Sequence, residues 1–341
     1  MTKRAIYVVN IAGQNISARL RPLLISLDIT DQEGTHSDTC SIKLDDTNGQ
    51  LRLPRDGDLI TILLGWEGGP VTLAFTGTVD EVRSNGSRSG GRELSISGKG
   101  VDTKGKAKEG QQMSMDDATV SDALNKAGKV AGISVKVDPS LANIKRDWWG
   151  LNDESFLHFG ERVARELGGI FKVQGNQAIL AKKGGGAVSG GAMGSVAAIW
   201  GVNLIDWDIA PMLGRPRHKE VVSRYYDRAK AKWATEKESV KDQGAQATMT
   251  DRYSRADKED AKGAAGNGAR DSEREKGGGS ATIDGTVAAK PGGTCLIGGA
   301  RPGVDGAYRI ESVAHSLNRG GGWTTKLELK EPQGSAGTDS R

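Results

Sequence analysis

Polar and apolar residues alternate through the first third of the chain. Ile25, Leu27 and Ile29 alternate with Ser26, Asp28 and Thr30, and Cys40, Ile42 and Leu44 with Ser41, Lys43 and Asp45. A period of two puts every second side chain on one face of an extended backbone, so each run predicts a half-buried strand. Asp45-Asp-Thr-Asn-Gly49 has the chemistry of a chain reversal. Residues 59–64 form a short buried run, and 76–82 and 93–97 flank a Gly/Ser/Asn loop that predicts a hairpin. This succession over residues 1–108 predicts a small tube-like β-barrel.

The period changes over 109–194. Val120, Leu124, Ala127 and Val130 or Ala131 recur at helical spacing, with Asp116 or Asp117 near the start. Phe156, Phe159, Val163 and Leu167 repeat the pattern until Gly168-Gly169 stops it. Residues 170–173 and 178–181, on either side of Gly175-Asn176, predict a second hairpin. The segment is a small α/β insert. It ends in the glycine-rich 184–194, which reads as a linker because the Gly-Lys-Ser/Thr of a phosphate loop is absent.

Strands return over 195–332, interrupted by a polar arm, 236–279. Within the arm, 254–275 has helix-forming composition but holds Gly263, Gly266 and Gly268, each costing up to ~1 kcal/mol against alanine. Almost without large apolar residues, the arm is expected to be a protruding helix held by a partner, or mobile. Residues 333–341 form a tail.

The first and third segments resemble each other in order. Leu24-Ile-Ser-Leu-Asp-Ile-Thr30 resembles Leu204-Ile-Asp-Trp-Asp-Ile-Ala210, and Ser41-Ile-Lys-Leu-Asp45 resembles Ser223-Arg-Tyr-Tyr-Asp227. Gly57-Asp-Leu-Ile-Thr-Ile resembles Gly292-Gly-Thr-Cys-Leu-Ile, and Thr78-Val-Asp-Glu-Val82 resembles Arg309-Ile-Glu-Ser-Val313. Four matches in one order suggest a duplication. The expected fold class is therefore mainly β with an α/β insert: two tube-like β-barrel domains in one chain, a small α/β domain, and a polar helical or flexible arm.

Composition narrows the function. The net charge is +4, but Lys and Arg are interleaved with Asp and Glu along the chain, unlike the concentrated basic element of a nucleic-acid reader. The N-terminus lacks the apolar run of a signal peptide and no stretch approaches the ~20 apolar residues of a membrane span, so a soluble protein made in the host cytoplasm, with no membrane anchor, is expected. His36, His158, His218 and His315 are far apart, with no HExxH, and no serine sits in GxSxG. No carboxylate spacing singles out an acid/base pair. The expectation is a non-enzyme with no cofactor and no metal. Trp148-Trp149 is the most unusual dipeptide and a candidate partner contact, with one ring packed on the insert and the other free for a neighbour. In Tyr225-Tyr226 one ring should point into the barrel and one out.

Gly299-Ala-Arg-Pro-Gly-Val-Asp-Gly-Ala-Tyr-Arg-Ile-Glu-Ser-Val-Ala-His-Ser-Leu, followed by Gly320-Gly-Gly-Trp-Thr-Thr-Lys-Leu-Glu-Leu, resembles the C-terminal signature of the late-control D hub family of contractile phage tails. Glu154-Ser-Phe-Leu with Arg162-Val-Ala-Arg-Glu-Leu-Gly-Gly, and Pro22-Leu-Leu-Ile-Ser-Leu-Asp-Ile-Thr with Lys43-Leu-Asp-Asp, extend the resemblance over 20–332. Phe156 departs from the Asp usual in the family after that serine, which touches packing only. The resemblance implies a virion structural protein of the tail baseplate. It implies a homotrimer whose six barrels adapt a hexameric tail tube protein to a trimeric central spike protein. It also implies contact with other baseplate proteins and a lumen for the tape measure protein and then DNA. Type VI secretion spike proteins share the module fused to a β-helix needle; none follows Pro332, so the needle is expected on a separate chain. The alternatives are a baseplate-associated cell-wall hydrolase and a glycan-binding adhesion module. In such a ring, the repeat would match Cys40 with Val222 and Cys295 with Ile60, and a disulfide from Cys40 to Cys295 of the next chain could close it after lysis. The alternative is that both are small buried hydrophobes.

Overall fold

The computed structural model describes residues 4–33, 37–100, 105–182, 187–188, 191–192, 194–212, 218–240, 245–320, 322–339 and 341. His36 and most of the expected linker 184–194 lie outside them. The first unit comprises β1 (Ala5–Ile11), β2 (Leu24–Gln32), β3 (Thr39–Asp45), β4 (Leu59–Trp66), β5 (Val71–Ser87) and β6 (Gly91–Lys99). They hydrogen-bond in the order β2-β3-β6-β5-β4-β1, every pair antiparallel. The alternation turns Leu27, Ile29, Cys40, Ile42, Ile60, Ile62 and Leu94 into one core.

The insert follows as β7 (Gly110–Thr119), α1 (Val120–Ala131), β8 (Ser134–Val137), β9 (Lys145–Ser155), α2 (Phe156–Leu167), β10 (Gly169–Gln174) and β11 (Gln177–Lys182). Its helices start and stop where the caps require. Thr119 and Asp122 form a reciprocal capping box on α1, and Ser155 accepts the amide of His158 on α2. Gly132 and Gly168 end them in the left-handed region, at φ 72 and 64, a conformation that strains any residue with a Cβ. Val120, Leu124, Phe156, Phe159 and Phe171 fill the space between helices and strands.

The second unit comprises β12 (Val196–Ile199) and β13 (Leu204–Ala210), then, after an excursion, β17 (Gly278–Asp284), β18 (Thr294–Gly298), β19 (Gly306–Asn318) and β20 (Gly322–Gln333). The excursion contains β14 (His218–Asp227), β15 (Lys232–Ser239), β16 (Ala247–Thr250) and α3 (Lys258–Arg274). The order β13-β17-β20-β19-β18-β12 repeats the first unit strand for strand, differing only in that β18 and β12 run parallel. Two of the irregularities repeat as well. Register shifts fall at Leu24/Ser26 and at Leu204/Asp206, and again at Val79/Glu81 and at Ile310/Ser312. A bulge marks one place in a ladder, so shared bulges fix the equivalence residue by residue.

Three of the four sequence matches coincide with this equivalence. The match of 41–45 with 223–227 does not: β14 lies in a separate sheet, β15-β14-β16, and the strand equivalent to β3 is β17. Both segments alternate and run into a turn, and local pattern does not say which ladder a strand joins. The pairing of Cys40 with Val222 falls with it. The two units are joined edge to edge. The far half of β19 pairs with β2, from Ser312↔Gln32 to Asn318↔Ser26, merging the twelve strands, with the short strand Gln14–Asn15 that pairs with β1, into one thirteen-stranded sheet.

The polar arm also differs from expectation. Its helix α3 is held by its own chain. Ala261, Ala265 and Ala269 form a buried stripe whose small side chains let the helix sit close on the β14 sheet, with Gly268 against Val221. Asn267 donates to the carbonyl of Glu166, and Arg146 reaches Asp260 at 3.0 Å.

Candidate assembly surfaces

The described residues hold no group of three or more His, Cys, Asp or Glu able to hold a metal ion, and no described helix is long and apolar enough to cross a membrane. The histidines are scattered. His158 is exposed at the start of α2 and His218 opens β14. His315 is buried on β19, its Nδ1 3.0 Å from Thr325 Oγ1 and its ring 6.1 Å from that of Trp323. Burial first, then Lys290, pushes its pKa down to about 4, so the ring is neutral near pH 7.

Cys40 and Cys295 are both free and buried, 3% and 0% exposed. Cys40 lies over Gly98 beside Ile60 in the first core, and Cys295 belongs to the second. A link between chains would have to draw both sulfurs out of their cores, so the burial fits two small hydrophobes better. Burial pushes each thiol up to about 12, far from the thiolate that reacts. Neither cysteine should react with a thiol reagent in the native protein, and both should after denaturation. Rapid native labelling, or a wild-type trimer band on a non-reducing gel, would contradict this.

The tryptophan pair divides. Trp149 is buried, donates its indole N–H to the carbonyl of Ala118 at 2.9 Å, and lies under the Arg146 guanidinium. Trp148 is 62% exposed and its ring lies across Gly150, where a Cβ would collide with it. In the second pair, Tyr225 is buried and Tyr226 exposed, although in the β14 sheet and not in a barrel.

Two junctions invisible to local pattern hold the parts together. At the seam between units, Arg309 pairs with Glu33 and Ser316 donates to Asp28 at 2.7 Å. Trp66 donates to the carbonyl of Gly285 at 2.8 Å and packs at 5.2 Å on Trp323. Leu317 and Trp323, from the second unit, thereby complete the core of the first. Between barrel and insert, Lys172 on β10 reaches Asp31 at 2.5 Å and Asp38 at 2.9 Å. A cavity of about 440 Å³ lies between the insert, α3 and the second unit, lined by Glu161, Arg165, Asp271, Arg274, Glu311 and Lys330. Its full lining carries six carboxylates and four cations.

The second unit also exposes several apolar side chains. Trp200, Val202, Ile205, Met212 and Leu296 are exposed, and Trp200 packs edge-on against Trp207 at 4.9 Å.

No family model matches the chain. The probable baseplate hub proteins of Escherichia phages 186 and P2 are each 28% identical to it over 185 residues, 54% of this chain and 47% of theirs. The chain thus spans about half the length of the curated relatives it matches. Among solved structures, the tail protein from Neisseria meningitidis MC58 superposes with a TM-score of 0.68 at 18% identity, covering 96% of this chain and 97% of its own. The 43 kDa tail protein of prophage MuSo2 from Shewanella oneidensis gives 0.72 at 15% identity, with coverage of 95% and 98%. A type VI secretion component of E. coli, described as similar to T4 tail proteins gp27 and gp5, gives 0.56 at 11%, with coverage of 98% and 79%. The fold is that of phage tail proteins, and in sequence the chain resembles baseplate hub proteins.

Proposed function

We propose that the chain is a structural hub of a contractile phage tail, assembled as a closed ring of three copies at the tail tip. The observation that carries this reading is the duplication, bulges included. Three chains then offer six like units to a hexameric tail tube on one side and threefold symmetry to a central spike on the other. In this reading the ring surrounds a channel for the tape measure protein and then DNA. The insert projects with Trp148 as a contact for another baseplate protein, and no catalytic step is involved. The naming of the phage 186 and P2 relatives as probable baseplate hub proteins supports the placement.

Antibody against this chain should decorate purified particles at the distal end of the tail alone. Labelling of the head or along the tail shaft would overturn the proposal.

A further inference from the structure

A small polar pocket opens at the seam, beside the first core. Its volume is about 230 Å³, and Arg4, Arg21 and Arg319 line it together with Glu67, Tyr7 and Leu317. That volume lies below the ~300–1,000 Å³ of sites that enclose drug-sized molecules, so it suits one small group. The three arginines come from distant parts of the chain. Arg4 directly precedes β1, Arg21 follows the one-turn helix Ser17–Leu20, and Arg319 follows β19 of the second unit. Each is fixed through its backbone. The Arg4 carbonyl accepts the Glu67 amide at 2.9 Å, the Arg21 amide donates to Ser17 at 3.0 Å, and the Arg319 amide donates to Ile25 at 3.2 Å. The Arg319 guanidinium also donates to the Pro22 carbonyl.

We propose that this pocket binds a phosphate-class oxyanion, which bridges Arg4 and Arg21 of the first unit to Arg319 of the second.

The first observation behind the site is uncompensated charge. The lining carries three guanidinium groups and a single carboxylate, Glu67. At the other junctions Arg146, Arg162 and Arg309 each pair with a carboxylate. Among the described residues Arg4, Arg21 and Arg319 form no such pair, and Asp45, on which Arg319 also acts, is taken up by the Thr47 hydroxyl and amide. Like charges gathered without a counter-ion repel one another, and an entering anion relieves that repulsion. Guanidinium groups present paired N–H donors that match phosphate oxygens.

The second observation is an orphaned hydroxyl. Tyr7 is 8% exposed, and its hydroxyl is buried without a hydrogen-bond partner. Such a group costs free energy until a partner arrives. Burial raises its pKa, and Arg21, close enough to act on it, draws it back. The hydroxyl therefore keeps its proton at neutral pH and can donate. An anion drawn in by Arg21 supplies the acceptor it lacks. Four donor groups suit the four oxygens of a tetrahedral oxyanion better than the two of a carboxylate. The site is complete within one chain and does not depend on the ring.

The test titrates inorganic phosphate into the full chain at fixed ionic strength, with chloride as the balancing ion. Calorimetry reads the binding, and melting midpoints are followed in parallel. The expected result is saturable binding of one phosphate per chain, with a midpoint that climbs as phosphate is added. Arg21→Gln should weaken binding about tenfold or more. Arg228→Gln, the same charge change at an exposed position between β14 and β15, should leave it unchanged. Glu67→Gln should tighten it. Tyr7→Phe separates the site from a general salt effect. It should raise the midpoint without phosphate, because it removes the orphaned hydroxyl, and shrink the rise that phosphate brings. A response that never saturates, or that Arg21→Gln and Arg228→Gln weaken alike, overturns the site. So does a Tyr7→Phe variant whose phosphate-dependent rise equals that of wild type.

Discussion

Replacing Trp323 by alanine should lower the stability of the chain by about 3–5 kcal/mol, the range for deleting a large aromatic from a core. Trp323 is 4% exposed and sits on β20 of the second unit, yet it packs in the core of the first. Its ring rests on Trp66 and over Gly285, where any Cβ would collide with the indole. No neighbouring strand can refill that volume, because the ring is the piece that closes the gap between β4 and the seam. Its indole N–H is buried without a hydrogen-bond partner. Trp323→Phe, which gives up that N–H with part of the ring, should therefore cost less than half as much as the alanine change. Urea denaturation followed by circular dichroism measures both. An alanine variant within ~1 kcal/mol of wild type would show that the seam does not hold the units together.

Lys172→Met should cost about 1–3 kcal/mol, the penalty for leaving a partly buried carboxylate without its partner, and the cost should grow with pH. The lysine sits between Asp31 and Asp38 and anchors the insert to the first unit. Burial first, and the nearby Asp31 second, raise the Asp38 carboxyl from 3.8 to about 7, against the opposing pull of Lys172. A carboxyl raised on folding binds its proton more tightly in the folded chain. Its contribution to stability is therefore complete below about pH 4 and lost as pH rises through about 7. Wild-type protein should lose stability across that window, and Asp38→Asn should flatten the loss. Without the ammonium, ionisation becomes harder still, so Lys172→Met should be worse at about pH 8 than at about pH 5. Denaturation midpoints at the two pH values decide it; equal losses at both would contradict the assignment.

Neither contact was legible in the sequence, and the reason is separation along the chain. Lys172 and Asp31 are 141 positions apart, and nothing near either one announces the other. Elements governed by neighbours were legible. The two-residue alternation marked the barrel strands, the spacing of Val120, Leu124 and Ala127 marked α1, and Ser155 and Gly168 bounded α2. The duplication was legible because the bulges and the core alternation leave local traces in both units. It misled at Ser223–Asp227, where an alternating strand with a turn after it belongs to another sheet. The arm misled because alanine reads as a helix former, while in α3 the alanines are also the packed face. Trp148 and Trp149 were legible as a pair of opposite faces, which alternation in β9 dictates.

In the proposed hub, three copies of this chain, each with two like units, surround the tail axis. A cryo-EM reconstruction of the intact tail tip tests it most directly. The map should show one ring of three chains in which six units alternate. A ring of six copies, or copies placed off the axis, would contradict it.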